Sequence, residues 1–358
     1  MTNPSRLEPH WIDCFETLLR RCAVQSSETA AILCESQSRP ELIEAMRHAL
    51  ARIGAQHFIL TLPTRPALTQ PATPIIRSTG ASIVVAGISP VINALAACHL
   101  VIDCTVEGLM HAPELPAILK GNGSSQPRVI YVSNEHPEAL CRLLPDDALE
   151  QTVKAHSKRL RGTKKMHVTS ASGTDLHITL DGAPSGGNWG TTTKPGTMTH
   201  FPGGLVLAFP KAGSVNGRLV LGVGDVNLAF KRYIEQPIAL TIEDDHIVKI
   251  EGAGVDAQLM REYLAAWEAR DGHRAAYAVS HVGYGLNPAA RFDSMAMFDK
   301  SDFNGTELRC AAGSFLYSTG ANESAGRYTL GHFDLPMKHC TVALDGLHVV
   351  DQGQLLTQ

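Results

Sequence analysis

The sequence contains no run of 18 or more apolar residues, so a membrane-spanning helix is not expected. It has no long basic stripe either, with 31 basic against 35 acidic residues and a formal charge of −4. Phosphate-backbone binding therefore has no footprint, and nucleic acid is not an expected partner. No C-x-x-C pair occurs among the eight cysteines, which are scattered from Cys14 to Cys340. They read as reduced thiols, several of them filling the core, rather than as a disulfide framework or a zinc knuckle. No G-x-G-x-x-G follows a strand pattern, and neither a P-loop nor a G-x-S-x-G elbow is present. Dinucleotide, triphosphate and serine-hydrolase chemistry thus lose their usual signatures. Residues 1–11 carry neither the apolar core of a signal peptide nor an Arg-rich leader, which points to the cytoplasm.

What is present is a chain of 358 residues, 44% apolar and 18% charged, long enough for about two domains with a core each. The first half alternates helical patterns (11–22, 39–53, 90–98) with short apolar runs (29–34, 57–62, 99–103, 128–132). Continuous apolar strands separated by helices argue for a parallel sheet covered on both faces. After a helical crossing over 140–165 the pattern changes to short β-branched or apolar runs bounded by Gly, Pro, Asn and Asp. Two hairpins are expected, around Asp244-Asp245 and Asp345-Gly346, and one inserted helix over 255–270. The polar tract 185–194 reads as a lid or an exposed connection. The expected architecture is an α/β domain with a parallel sheet over 1–150, followed by a mainly β (α+β) metal-binding domain over 151–358.

The chain has 16 histidines, the residue most used as metal ligand and general base. In Gly331-His332-Phe333-Asp334, strand alternation would point His332 and Asp334 the same way and Phe333 the other. An imidazole plus a carboxylate, completed by a second histidine, is the facial arrangement that suits a non-heme Fe(II). The same spacing also describes a surface histidine beside a hydrogen-bonded aspartate. His281 approaches a Gly-rich turn that ends in Asn287-Pro288, and His200 one that runs into Pro202-Gly203-Gly204. Either can be a site residue or an ordinary turn or core histidine. His111 follows the apolar run 99–103, where open α/β sheets place binding groups. Asn134-Glu135-His136-Pro137 reads as a turn or cap.

Together Ser133-Asn134-Glu135-His136-Pro137, Ala171-Ser172-Gly173-Thr174-Asp175-Leu176, Gly283-Tyr284-Gly285-Leu286-Asn287-Pro288 and His332-Phe333-Asp334 resemble the aminopeptidase T-like metallopeptidase superfamily, in order and spacing over most of the chain. Within it the chain is more similar to the 2,5-dihydroxypyridine 5,6-dioxygenases, ring-cleaving iron enzymes of nicotinate degradation. Where the peptidases have a metal-binding glutamate, this chain has His281, and where they carry another after the earlier Pro, it has Gly203-Gly204. A co-catalytic metal pair would lack its bridging oxygens.

The resemblance implies Fe(II) held by His281, His332 and Asp334, with the dihydroxypyridine ring and O2 beside it. It implies His111 as the base for a ring hydroxyl, His200 and Ser318 as substrate contacts, and Leu109 packed on the ring. The implied reaction converts 2,5-dihydroxypyridine and O2 to N-formylmaleamate, and the implied state is a homo-oligomer. An aminopeptidase would need other carboxylates, such as Glu307 or Glu323, for its second metal. A non-catalytic binding protein that kept the cleft would turn over neither substrate.

Overall fold

The computed structural model describes residues 7–65, 81–123 and 125–356. Residues 1–6, part of the segment read above for a leader, lie outside them. The first half contains α1 (Pro9–Arg21), β1 (Thr29–Glu35), α2 (Pro40–Ile53), β2 (Gln56–Leu62), α3 (Ser89–Ala96) and β3 (Leu100–Asp103). It continues with α4 (Leu115–Lys120), β4 (Arg128–Val132), α5 (Pro137–Arg142) and α6 (Asp147–Gly162). Along α1 the buried residues are Trp11, Cys14, Phe15, Leu18 and Leu19, the i, i+3, i+4, i+7, i+8 stripe that a helix lays against a sheet. β1, β3 and β4 are buried almost throughout. One apolar cluster, with Phe15, Leu18 and Met46, packs on Ile32 and Ile102, while a second, with Leu95 and Ile118, packs on Leu33 and Val101. Helices on both faces are what parallel strands need, and these strands are parallel.

After α6 come β5 (Lys165–Ser170), β6 (Asp175–Thr179), β7 (Ser185–Asn188) and β8 (Met198–Phe201). β8 pairs parallel with β4, His200 opposite Tyr131, so the first sheet has the order β2-β1-β3-β4-β8. A cut at residue 150 therefore divides the chain but not this sheet. The run 185–188, expected as a lid or loop, is instead an edge strand, its Gly-rich backbone paired with β9 (Leu205–Ala208).

β10 (Val215–Leu221), β11 (Val226–Asn227), β12 (Arg232–Tyr233), β13 (Ile238–Glu243) and β14 (His246–Glu251) lead to α7 (Val255–Asp271). Then follow β15 (Val279–Gly285), α8 (Thr306–Cys310), β16 (Phe315–Thr319) and β17 (Asp334–Met337). The chain closes with β18 (Cys340–Leu344), β19 (Leu347–Asp351) and β20 (Gln354–Leu355). These strands, with β5, β6, β7 and β9, form an eight-stranded sheet, β14-β13-β10-β6-β5-β18-β19-β20, a five-stranded one, β17-β16-β15-β9-β7, and the two-stranded pair β11-β12. One core, including Trp267 and Tyr263 of α7, joins both sheets. Both expected hairpins form, with Asp244 and Asp245, and Asp345 and Gly346, all at positive φ, the conformation a two-residue turn matched to strand twist requires. All eight cysteines are unpaired and seven are buried. Among the described residues no helix is long and apolar enough to cross a membrane.

Candidate active site

Side chains from β8, from the loop after β3 and from the five-stranded sheet line a cavity of about 470 Å³, a size that suits a small ring ligand. His281 sits on β15 at a local defect. Pairing with β16 is regular from Val282 onward and slips between Val279 and Val282, and such slips redirect a side chain next to functional sites. His332 and Asp334 flank Phe333, which is fully buried with its ring centroid 4.5 Å from that of Tyr263. The alternation read from the sequence is thus present, with His332 just ahead of β17 and Asp334 as its first residue.

Hydrogen bonds behind the histidines decide which nitrogen faces the cavity. His332 Nδ1 is 2.8 Å from the Thr319 carbonyl oxygen, a position only an N–H can satisfy. His281 Nδ1 is 3.1 Å from Ser280 Oγ, whose hydroxyl donates to the Ala321 carbonyl, so Oγ accepts from Nδ1–H. In the neutral rings both Nε2 atoms are then lone pairs, and both turn to Asp334, at 3.7 Å from Oδ1 for His281 and 3.2 Å from Oδ2 for His332. Burial drives the His281 pKa down to about 3, which keeps that ring neutral. Burial, the largest single influence, pushes Asp334 upward, but the Arg309 guanidinium, 2.6 Å away through Nε, and the neighbouring His332 and His281 together outweigh it and hold the carboxyl well below its ordinary value. When both rings are neutral, two imidazole lone pairs turn to one carboxylate and repel it. A cation among them turns that repulsion into coordination, so the donor set fits a metal ion, with outer hydrogen bonds that fix the tautomers.

His111, on the loop after β3, lines the same cavity, and burial lowers its pKa to about 4. His200 lines it from β8, with its pKa lowered to about 3 by burial and its Nε2 3.3 Å from Thr306 Oγ1. Ser318 lies opposite Asp334 in the β16–β17 pair; fully buried, it donates its hydroxyl to Asp334 Oδ1 from behind the carboxylate. Leu109 does not line this cavity. Its N–H donates to Asp103 Oδ2 at 2.7 Å, and its side chain joins the apolar cluster on the sheet face. Met110, the next residue, faces the cavity instead.

Glu307 is engaged elsewhere, bound by Arg142 at 2.5 and 3.1 Å and by the Arg291 N–H at 2.6 Å, while Glu323 lies on the cavity wall. A side chain at Gly204 is excluded: its φ is +113° and a Cβ would stand 2.5 Å from Asn287 Cβ. His136 caps α5 by accepting from the Glu138 N–H. Its neighbour Glu135 is buried and accepts from the backbone N–H groups of Asn304 and Thr306, pinning the start of α8 to the end of β4. Arg309, Asn304, Thr306, Tyr131 and Glu107 complete the wall. No motif marks Arg309, Asn304 and Thr306 in sequence, because this pinning brings their segment to the cavity.

The fold is aminopeptidase T-like, shared with wild-type AmpT from Thermus thermophilus at a TM-score of 0.59 and 13% identity over 97% of this chain and 99% of that one. The family model described as 2,5-dihydroxypyridine 5,6-dioxygenase matches residues 10–357, and the chain belongs to that family. It is 32% identical, over 96% of its length and 95% of the relative's, to the 2,5-dihydroxypyridine 5,6-dioxygenase of Pseudomonas putida KT2440. The solved structure of 2,5-dihydroxypyridine dioxygenase from Pseudomonas putida KT2440 superposes with a TM-score of 0.87 at 31% identity, covering 97% of each chain.

Proposed function

We propose that the chain is a cytoplasmic, homo-oligomeric enzyme of nicotinate degradation that joins O2 to 2,5-dihydroxypyridine. The ring opens between C5 and C6 to give N-formylmaleamate, at one Fe(II) held by His281, His332 and Asp334. The observation that carries this reading is the pair of imidazole Nε2 atoms turned to the Asp334 carboxylate, in a family described as 2,5-dihydroxypyridine 5,6-dioxygenase. Bound Fe(II) supplies the one-electron chemistry that lets O2 react with a closed-shell ring.

The chain's own residues do the rest. His111, kept neutral by burial, accepts the proton of a ring hydroxyl and leaves the ring electron-rich. His200, also neutral, and the cavity-lining Thr306 offer hydrogen bonds to the ring's polar edge. Leu205, Leu207 and Leu316 supply apolar wall that excludes water from the reacting carbon. Ser318 holds Asp334 in place from behind, a supporting role to the carboxylate.

The test is anaerobic loading with Fe(II), addition of 2,5-dihydroxypyridine and then isotopically labelled O2, following ring absorbance, O2 uptake and product mass. The expected result is about one O2 per ring with both labelled atoms in the product, as ring cleavage by a facial-triad iron requires. No ring loss with iron, together with hydrolysis of a leucyl amide by the zinc- or cobalt-loaded chain, would move the assignment to a peptidase.

A further inference from the structure

A second set of two histidines and an aspartate lies on the outer face of the eight-stranded sheet. β5 and β6 form a hairpin in which His167 stands directly opposite His177, and Asp175 opposite Thr169. Strand alternation puts Asp175 and His177, two residues apart, on the face that also carries His167. The two imidazoles stack with centroids 4.3 Å apart and planes 9° from parallel. Both send Nε2 to the same oxygen, Asp175 Oδ1, at 2.7 Å from His167 and 3.3 Å from His177. All three side chains are open to solvent, at 43%, 66% and 65% exposure for His167, Asp175 and His177.

We infer that His167, Asp175 and His177 form a surface site for a divalent transition ion of the zinc type, separate from the cavity. Three donor atoms of this hairpin lie within 4.8 Å of one another. Tetrahedral zinc with Zn–N near 2.0–2.1 Å spaces its donors by about 3.3 Å. The His177–Asp175 separation already has that value, and His167 needs to withdraw by only ~0.6 Å to reach it. Imidazole and carboxylate are ligands that zinc, copper and nickel accept. Asn216 stands beside His177 on β10, but its Oδ1 accepts from the Asp244 N–H at 2.8 Å, so water fills the remaining position. An ion here clips β5 to β6 across the hairpin. Because it binds the folded hairpin and not the open chain, it raises the melting temperature by mass action. The inference does not depend on the reaction in the cavity.

The experiment is calorimetric titration of the untagged chain with zinc chloride at mildly alkaline pH, where imidazole is deprotonated. It is run on the wild type, on His177→Gln, on Asp175→Asn, and on His332→Ala to remove the cavity trio. Losing an outer-sphere partner already weakens metal sites about 10–100-fold, so losing a ligand is expected to weaken this one at least tenfold. The expected pattern is a zinc-binding step, with a zinc-dependent rise in melting temperature, that survives in His332→Ala and disappears in His177→Gln and Asp175→Asn. Iron-dependent turnover and the zinc-free melting temperature stay unchanged in those two variants. Zinc binding and stabilisation that are identical in the wild type, His177→Gln and Asp175→Asn overturn the inference. So does a wild type whose zinc binding is lost wholly in His332→Ala.

Discussion

Two His–Asp–His trios stand on the two larger antiparallel sheets among the described residues, and they share a donor set and little else. In His281, His332 and Asp334 the side chains are 8%, 17% and 4% exposed; in His167, His177 and Asp175 all are open to water. Behind the buried histidines stand Thr319 and Ser280, which fix the protons on Nδ1, whereas on the hairpin the carboxylate itself is the histidines' partner. Burial keeps His281 neutral, while Arg309 leads the neighbours that together hold the Asp334 carboxyl well below its ordinary value. Ligand identity makes a metal possible, while burial and outer hydrogen bonds make a reactive cavity. An exposed trio offers water free access to any ion it holds; the buried one sits in a chamber that can admit a ring and limit water.

The contrast breaks most completely at Asp334. Asp334→Ala leaves the Arg309 charge facing two imidazoles, and iron retention and turnover are expected to vanish together. The loss should exceed the roughly 10–100-fold typical of outer-sphere changes, read by metal analysis after desalting and by ring absorbance. Next is His111→Ala, which should keep iron bound and lower kcat by about 10²–10⁴-fold, the range of a general base; concurrent loss of iron would contradict its role as base. Ser280→Ala makes the buried trio resemble the exposed one by freeing the His281 ring. Iron affinity should weaken about 10–100-fold, with kcat at saturating iron largely kept, as an iron titration of activity would read.

The smallest effect concerns acid. His111 and His200 have folded pKa values near 4 and near 3, lowered by burial, against about 6.5 in the unfolded chain. Between those values the unfolded state binds more protons, so stability rises with pH and is lost as pH falls from about 6.5 toward 4. Urea midpoints across that window should decline for the metal-free wild type. His200→Gln should decline less steeply, and an equal slope would remove His200 from this account.

Much of the scaffold was legible because its signals are local. The apolar runs of β1, β3 and β4, the stripe on α1 and the Asp244-Asp245 and Asp345-Gly346 turns each encode their conformation within a few residues. So does the His332-Phe333-Asp334 alternation, since a core-filling Phe333 between two polar residues dictates which way they face. Other features depend on partners distant in sequence. The strand over 185–188 exists because β9 offers it an edge, and its glycines announce no strand. β8 joins a sheet built more than 60 residues earlier, which a linear division at 150 cannot express. Leu109 and Met110 are neighbours, and the bond from the Leu109 N–H to Asp103 and the apolar cluster that takes up the Leu109 side chain leave Met110 facing the cavity. Arg309 reaches Asp334 because Glu135 pins the start of α8. No spacing rule carries such information.

The most direct test of the central claim is a titration of the metal-free chain with Fe(II) under nitrogen, with dihydroxypyridine cleavage assayed on admitting air at each step. Activity is expected to climb linearly and level at one iron per chain, with the same plateau in His177→Gln and no activity at any iron level in His332→Ala. A plateau at two ions per chain, or full activity in His332→Ala, would contradict a single iron held by His281, His332 and Asp334.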